Sequence, residues 1–219
     1  MDERFFEALA PGDADELRGL GRRRTYRPGD TLFLERDAGR EVLVLLRGRV
    51  KLGSTSTAGR EAMLGIRQPG DLLGEMAAID AAVRSATATA LDEVEVLAVP
   101  GQAFLAFVAA TPSASTHLLR ILSSRLRDAD IKRLEFLSQD TVGRVCARLV
   151  ELARRFGTPG DAGTHIDVPI TQEELAGWTG SSREAVVKAL RTLRELGWIA
   201  TSRSGITVLD ADALRRRAV

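Results

Sequence analysis

Three features of the sequence predict an α+β protein in two parts. Between Arg22 and Val99, short apolar runs alternate with Gly, Pro and Asp turns. From Pro112 to Leu137 the apolar period becomes helical, and beyond Thr141 short helical segments end in a hairpin pattern. Many short, regularly punctuated strands describe a β-sandwich or barrel-like roll. The rest reads as one long helix leading into a compact helical unit.

The elements follow in order. Phe5, Phe6, Leu9, Leu17 and Leu20 fit one or two short helices around Pro11-Gly12-Asp13. The strand candidates are Thr31-Leu32-Phe33-Leu34, Val42-Leu43-Val44-Leu45-Leu46, Val50-Lys51-Leu52, Ala62-Met63-Leu64-Gly65-Ile66 and Val94-Glu95-Val96-Leu97-Ala98-Val99. Pro28-Gly29-Asp30, Gly48, Ala58-Gly59-Arg60 and Pro69-Gly70-Asp71 separate them, as residues preset for turns do. In the long helix Leu119, Leu122, Leu126, Ala129, Arg133 and Phe136 recur in threes and fours. Such a stripe packs in its own core or against a second copy. Ala129 is small and Arg133 costly to bury, which argues against a perfect coiled coil; a two-fold dimer is the expectation. A helix over Thr141 to Phe156 then precedes a loop from Gly157 to Gly163, and the chain closes with a hairpin of Ile199-Ala200-Thr201 and Ile206-Thr207-Val208 around Ser202 to Gly205.

With 219 residues there is room for two modest domains, and 44% apolar with 28% charged residues is ordinary for a soluble globular protein. No apolar run approaches the roughly 18 residues that span a bilayer. The start Met1-Asp2-Glu3-Arg4-Phe5 lacks a signal-peptide pattern, so a cytoplasmic protein with no membrane partner is expected. Cys146 is the only cysteine. One thiol builds no disulfide, zinc or iron–sulfur site, and Cys146 reads as a small buried hydrophobe. Net charge is only +1, but from Thr141 onward 12 Lys/Arg face 9 Asp/Glu, against 19 and 21 before it. That asymmetry favours an anionic partner for the C-terminal part.

Two stretches carry chemistry. Gly74-Glu75-Met76-Ala77-Ala78-Ile79, followed after four residues by Arg84-Ser85-Ala86, unites a flexible turn, a carboxylate, an arginine fork and a hydroxyl. Glycine lets a ligand approach the backbone, and free turn amides form an anion cradle. Arginine donates to two phosphate oxygens, while an ionised glutamate accepts only and so suits a sugar hydroxyl. The plainer alternative is a surface loop with Glu75 and Arg84 paired or solvated. The second stretch, Thr171-Gln172-Glu173-Glu174-Leu175-Ala176, opens with a capping box in which Glu174 answers Thr171. A turn at Gly177-Trp178-Thr179-Gly180 and a helix from Ser181 to Gly197 complete a helix-turn-helix, with the closing hairpin as its wing. Arg183, Glu184 and Lys188 lie in the first two turns of that second helix, where side chains reach base edges. Glu184 equally fits a capping-box partner for Ser181 or an i,i+4 pair with Lys188.

The two motifs, in this order and joined by a long helix, resemble the Crp/Fnr family of bacterial transcription regulators over nearly the full chain. Gly74 to Ala86 resembles the family's phosphate-binding cassette, Thr171 to Val186 its helix-turn-helix, and Asp140-Thr141-Val142-Gly143-Arg144-Val145 its hinge. The resemblance implies a cyclic-nucleotide-binding β-roll over 1–112, a dimerisation helix over 113–139 and a winged helix-turn-helix over 140–219. It implies that Gly74, Glu75, Met76, Ala77, Arg84 and Ser85 hold a cyclic nucleotide: Glu75 takes the ribose 2′-hydroxyl, and Arg84, Ser85 and amides near Met76 and Ala77 take the phosphate. Thr171 and Ser182 would touch DNA phosphates, and Arg183, Glu184 and Lys188 would read palindromic, TGTGA-like half-sites on double-stranded DNA. The Gly157–Gly163 loop lies where family members can touch RNA polymerase.

Ala129 and Asp130 depart from the family pattern. They stand where cyclic-AMP-responsive members place hydroxyl or amide side chains on adenine. Alanine offers no such bond, and Asp130 offers two acceptors that match the N1–H and N2 amine of guanine. Weakened cyclic-AMP affinity follows, with cyclic GMP or a guanine dinucleotide as contenders. The alternative for Asp130 is an i,i+3 pair with Arg127 or Arg133. A haem or iron–sulfur sensor is not expected: the N-terminus has no cysteine, and His117 and His165, the only histidines, read as structural or solvated residues rather than metal ligands. Rival readings are a family member with a non-nucleotide effector or none, a nucleotide-binding module acting on a protein partner, and a phosphodiesterase. The last lacks a metal cluster, a nucleophile or a paired acid and base near Gly74 to Arg84, so no enzyme is expected.

Overall fold

A computed structural model describes residues 4–55, 59, 61–202 and 205–218. Met1 to Glu3, most of the Ala58-Gly59-Arg60 turn and the tip of the closing hairpin lie outside the described residues. The chain divides into two compact units, one of Met1–Ser56 with Leu64–Asp128 and one of Thr57–Met63 with Ala129–Val219, so that one change-over falls within a long helix.

The first unit opens with α1 (Phe5–Ala8) and α2 (Pro11–Leu20), the second starting at Pro11 because a fixed φ and absent N–H suit a first helical turn. Eight strands follow: β1 (Arg22–Tyr26), β2 (Thr31–Phe33), β3 (Glu41–Arg47), β4 (Val50–Thr55), β5 (Glu61–Arg67), β6 (Leu72–Leu73), β7 (Thr87–Ala90) and β8 (Val94–Pro100). They form two four-stranded sheets, ordered β1-β8-β3-β6 and β2-β7-β4-β5. Alternation explains the roll. Leu43 and Leu45 of β3 and Val94, Val96 and Ala98 of β8 point between the sheets, where they meet Val50, Leu73, Ala88 and Ala90. Val42, Val44, Leu97 and Val99 face the other way, onto Phe5, Leu17, Phe104 and Phe107. The apolar run Val42 to Leu46 is continuous because β3 is covered on both faces. That second layer comes from α1, α2, α4 (Gly101–Ala110) and the start of α5 (Pro112–Ser138), whose Ala114, Leu118 and Ile121 are buried. Between β6 and β7 lies the short α3 (Glu75–Ile79).

In the second unit α6 (Thr141–Phe156) is strongly amphipathic and buries Val145, Cys146, Leu149 and Leu152. Packed with it are α7 (Gln172–Thr179), α8 (Arg183–Glu195) and α9 (Ala211–Arg217). A four-stranded sheet runs β11 (Ile199–Ser202), β12 (Gly205–Val208), β10 (Gly163–Ile166), β9 (Gly157–Gly160). The expected Gly157–Gly163 loop is thus largely a hairpin: β9 pairs antiparallel with β10, Gly160 opposite Gly163. Its Gly and Pro content hides the strand, which is ordered by β10 and its pairing with β12. His165 accordingly lies inside the sheet, beside the Thr207 hydroxyl at 3.2 Å. Among the described residues no single helix is long and apolar enough to cross a membrane.

Candidate effector site and nucleic-acid interface

The β6–α3 turn is built around one contact. Gly74 caps α3 at φ 75°, and a Cβ there would overlap Nη1 of Arg84, so glycine is required twice over. Arg84 is 5% exposed, and its Nη1 donates to the Gly74 carbonyl at 2.7 Å while Nη2 donates to that of Glu41 at 2.6 Å. The guanidinium stacks 4.4 Å from the centre of Phe33, and its Nε is buried with no hydrogen-bond partner. Its backbone is pinned too: Arg84 N–H donates to Asp37 O at 2.9 Å, and Arg36 N–H to Arg84 O at 2.9 Å. Arg36 (φ 70°) and Ala81 (φ 55°) hold left-handed conformations costly for residues with a Cβ, one on each flank of this arginine. Burial lowers the Arg84 pKa, opposed by Glu75, Glu41 and Asp37. A cleft of about 220 Å³ lies against Arg84, lined also by Arg24, Phe33, Asp37, Arg40 and Glu41.

Glu75 and Arg84 are not partners of one another. Glu75, 2% exposed, bonds instead to Arg125 of α5, whose Nη2 also donates to Leu72 O at 3.0 Å. Met76 and Ser85 are exposed and Ala77 is buried. Arg125 is the residue that sequence reasoning missed. It sits 50 positions from Glu75, and only a helix laid across the cassette brings the two together. A buried arginine with an unpaired donor, next to a buried carboxylate, fits a ligand carrying an anionic group and a hydroxyl. Ala129 and Asp130 are both exposed on α5, and Asp130 has a loose ion pair with Arg133 at 3.8 Å.

In the second unit the Thr171 capping box forms as expected, with Glu174 N–H donating to Thr171 Oγ1 at 3.1 Å and Thr171 N–H to Glu174 at 2.7 Å. The turn falls later than expected: α7 continues through Thr179, because Leu175, Ala176, Trp178 and Thr179 are buried against the unit's core, and Gly180 takes the left-handed cap at φ 57°. Ser182 caps α8, its Oγ accepting from Ala185 N–H at 3.2 Å. Glu184 is therefore the second helical residue and no box partner for Ser181. Its pKa is lowered by its own backbone N–H and by the Ser182 hydroxyl. Thr171, Ser182, Arg183, Glu184 and Lys188 are all exposed, while Val186, Ala189, Leu190 and Leu193 hold α8 down.

Fold and geometry define an anion-ready β-roll followed by a helix-turn-helix with a β-sheet wing. Residues 23–111 match the family "Cyclic nucleotide-binding domain", and 143–217 match the "Crp-like helix-turn-helix domain". The chain is 35% identical over 190 residues to the CRP-like cAMP-activated global transcriptional regulator of Mycobacterium tuberculosis, covering 87% of this chain and 85% of that one. It is 33% identical over 215 residues to the cyclic AMP receptor protein of Thermus thermophilus, 98% and 96% of the two chains. Among solved structures it is similar to the Thermus thermophilus catabolite activator protein, with 32% identity, a TM-score of 0.55, and 98% and 97% coverage. The chain belongs to the Crp/Fnr family of transcription regulators.

Proposed function

We propose that this protein is a homodimeric regulator whose DNA binding is controlled by a cyclic nucleotide held between Arg84, Glu75 and the Gly74–Ala77 turn. The buried Arg84 guanidinium carries this reading: two carbonyls orient it, and its Nε has no hydrogen-bond partner. A phosphate oxygen supplies what that group lacks. Ser85 and amides near Met76 and Ala77 would complete the phosphate cradle, and the ribose hydroxyl would share Glu75 with Arg125. Only a ligand that binds two dimer geometries unequally can shift the balance between them. The favoured geometry would set two α8 helices about 34 Å apart, one DNA turn.

The relatives named for cyclic AMP support that nucleotide as the first candidate, and Asp130 supports cyclic GMP. Titration calorimetry with each nucleotide decides: tighter cyclic-GMP binding that Asp130→Ala abolishes supports the guanine reading, and tight cyclic-AMP binding untouched by Asp130→Ala refutes it. On DNA, Thr171 and Ser182 would meet phosphates while Arg183, Glu184 and Lys188 read a palindromic, TGTGA-like site. Arg183→Ala should cut discrimination between that site and scrambled DNA by about 1–3 kcal/mol in gel shifts. Unchanged discrimination excludes the role. The β9–β10 hairpin is the surface we assign to RNA polymerase contact.

A further inference from the structure

Along α8 the buried residues are Val186, Ala189, Leu190 and Leu193, and they fix which side of the helix faces outward. Among the described residues of α8, those exposed are Arg183, Glu184, Val187, Lys188, Arg191, Arg194 and Glu195. All are charged except Val187, which is 40% exposed. Arg183 and Glu184 precede it by four and three residues and Arg191 follows it by four, so all three are its neighbours on the helix surface. Arg191 is occupied by Glu195, its Nε donating to Oε1 at 2.8 Å. Val187 thus stands in the middle of the face that carries Arg183, Glu184 and Lys188.

Nothing local to the helix favours valine there. A β-branched side chain loses χ1 freedom in a helix, and unbranched residues are better helix formers at an exposed position. Apolar surface left in water also forgoes the gain of burial. Against DNA both properties become useful. The apolar group that base edges present in the major groove is the C5-methyl of thymine. A stiff side chain ending in two methyl groups loses little freedom on packing against it. The charged neighbours have other targets: arginine and lysine donate to guanine, and glutamate accepts from the cytosine amine. Thymine is left unread unless Val187 reads it.

We propose that Val187 is a specificity-determining residue of α8 that packs against the C5-methyl group of a thymine in each half-site. This deepens the regulator proposed above and rests on it. A TGTGA half-site offers three such methyl groups: those of its first and third bases and that of the thymine opposite its adenine.

The test begins with the full-length protein selecting its own site from a random duplex pool, without nucleotide and with cyclic AMP or cyclic GMP. Each thymine of the selected half-site is then replaced in turn by deoxyuridine, which removes the methyl group and keeps every hydrogen-bonding group. In competition gel shifts the parent should lose about fourfold in affinity at one thymine position, the value of one buried methyl-sized group. Val187→Ser should bind the thymine and uracil versions of that position equally, while Val187→Ile keeps the difference. Circular dichroism should show both variants as helical as the parent, since the buried face of α8 is untouched. A parent indifferent to every replacement overturns the proposal, as does a selected site without thymine or a thymine preference that survives Val187→Ser. A selected site unlike TGTGA counts against that half-site alone, and the thymine test is read on the site selected. Selection of no duplex under any of the three conditions overturns the proposed regulator, and this inference falls with it.

Discussion

Gly74 shows how much one residue can decide. Its left-handed φ and the Arg84 guanidinium pressed against it leave no room for a methyl group. Gly74→Ala should therefore displace Arg84 and abolish nucleotide binding in calorimetry while the roll still folds, since the Leu45 and Val96 core is untouched. Cys146 is the opposite case, legible from composition alone. Fully buried, its thiol is pushed up to about 11 by desolvation, so it should resist maleimide at pH 8 and react only on unfolding. Asp140 caps α6, and the Gly143 N–H, aided by Arg217, holds its pKa below the ordinary 3.8. A lowered carboxylate pKa stabilises the fold above the unfolded value, and that contribution is lost as pH falls through the folded one. Asp140→Ala should thus cost about 1 kcal/mol at pH 7, typical of a lost cap. In denaturant titrations the gap from the parent should shrink steadily below pH 3.8.

Helices were easier to read than strands. The α6 boundaries, Thr141 and Phe156, follow from its 3.6-residue apolar period and from the cap before it. By contrast β9 has the sequence Gly-Thr-Pro-Gly, with no apolar signal, and exists because β10 is there to pair with it. The end of α7 was misplaced for a related reason. Gly177 looks like a turn residue, but burial of Trp178 and Thr179 carries the helix three residues further, to the left-handed Gly180. The α7–α8 turn is therefore short, and Gly180→Ala should fail there twice, through its φ and through Phe136. Loss of DNA binding in gel shifts, with the α6–α8 core still folded by circular dichroism, is the expected outcome.

At the scale of the whole molecule, α5 leaves Leu119, Leu126, Leu134 and Leu137 largely exposed, at 66, 64, 63 and 85%. A helix this apolar on its open side needs a partner, and the dimeric architecture of the family supplies one. Leu126→Glu should shift sedimentation toward a monomer and weaken DNA binding with it; a dimer unaffected by that charge would remove α5 from the interface. The sequence by itself determined the order of parts, the roll, the long helix and the capped helix-turn-helix, because periodicity, turn residues and caps act over a few positions. Tertiary structure alone decided that Glu75 answers to Arg125, that Arg84 is buried between two carbonyls, and that Arg148 clasps Glu135. Each of these joins residues from separate elements, and a buried charge finds its partner only after the apolar layers have brought those elements together.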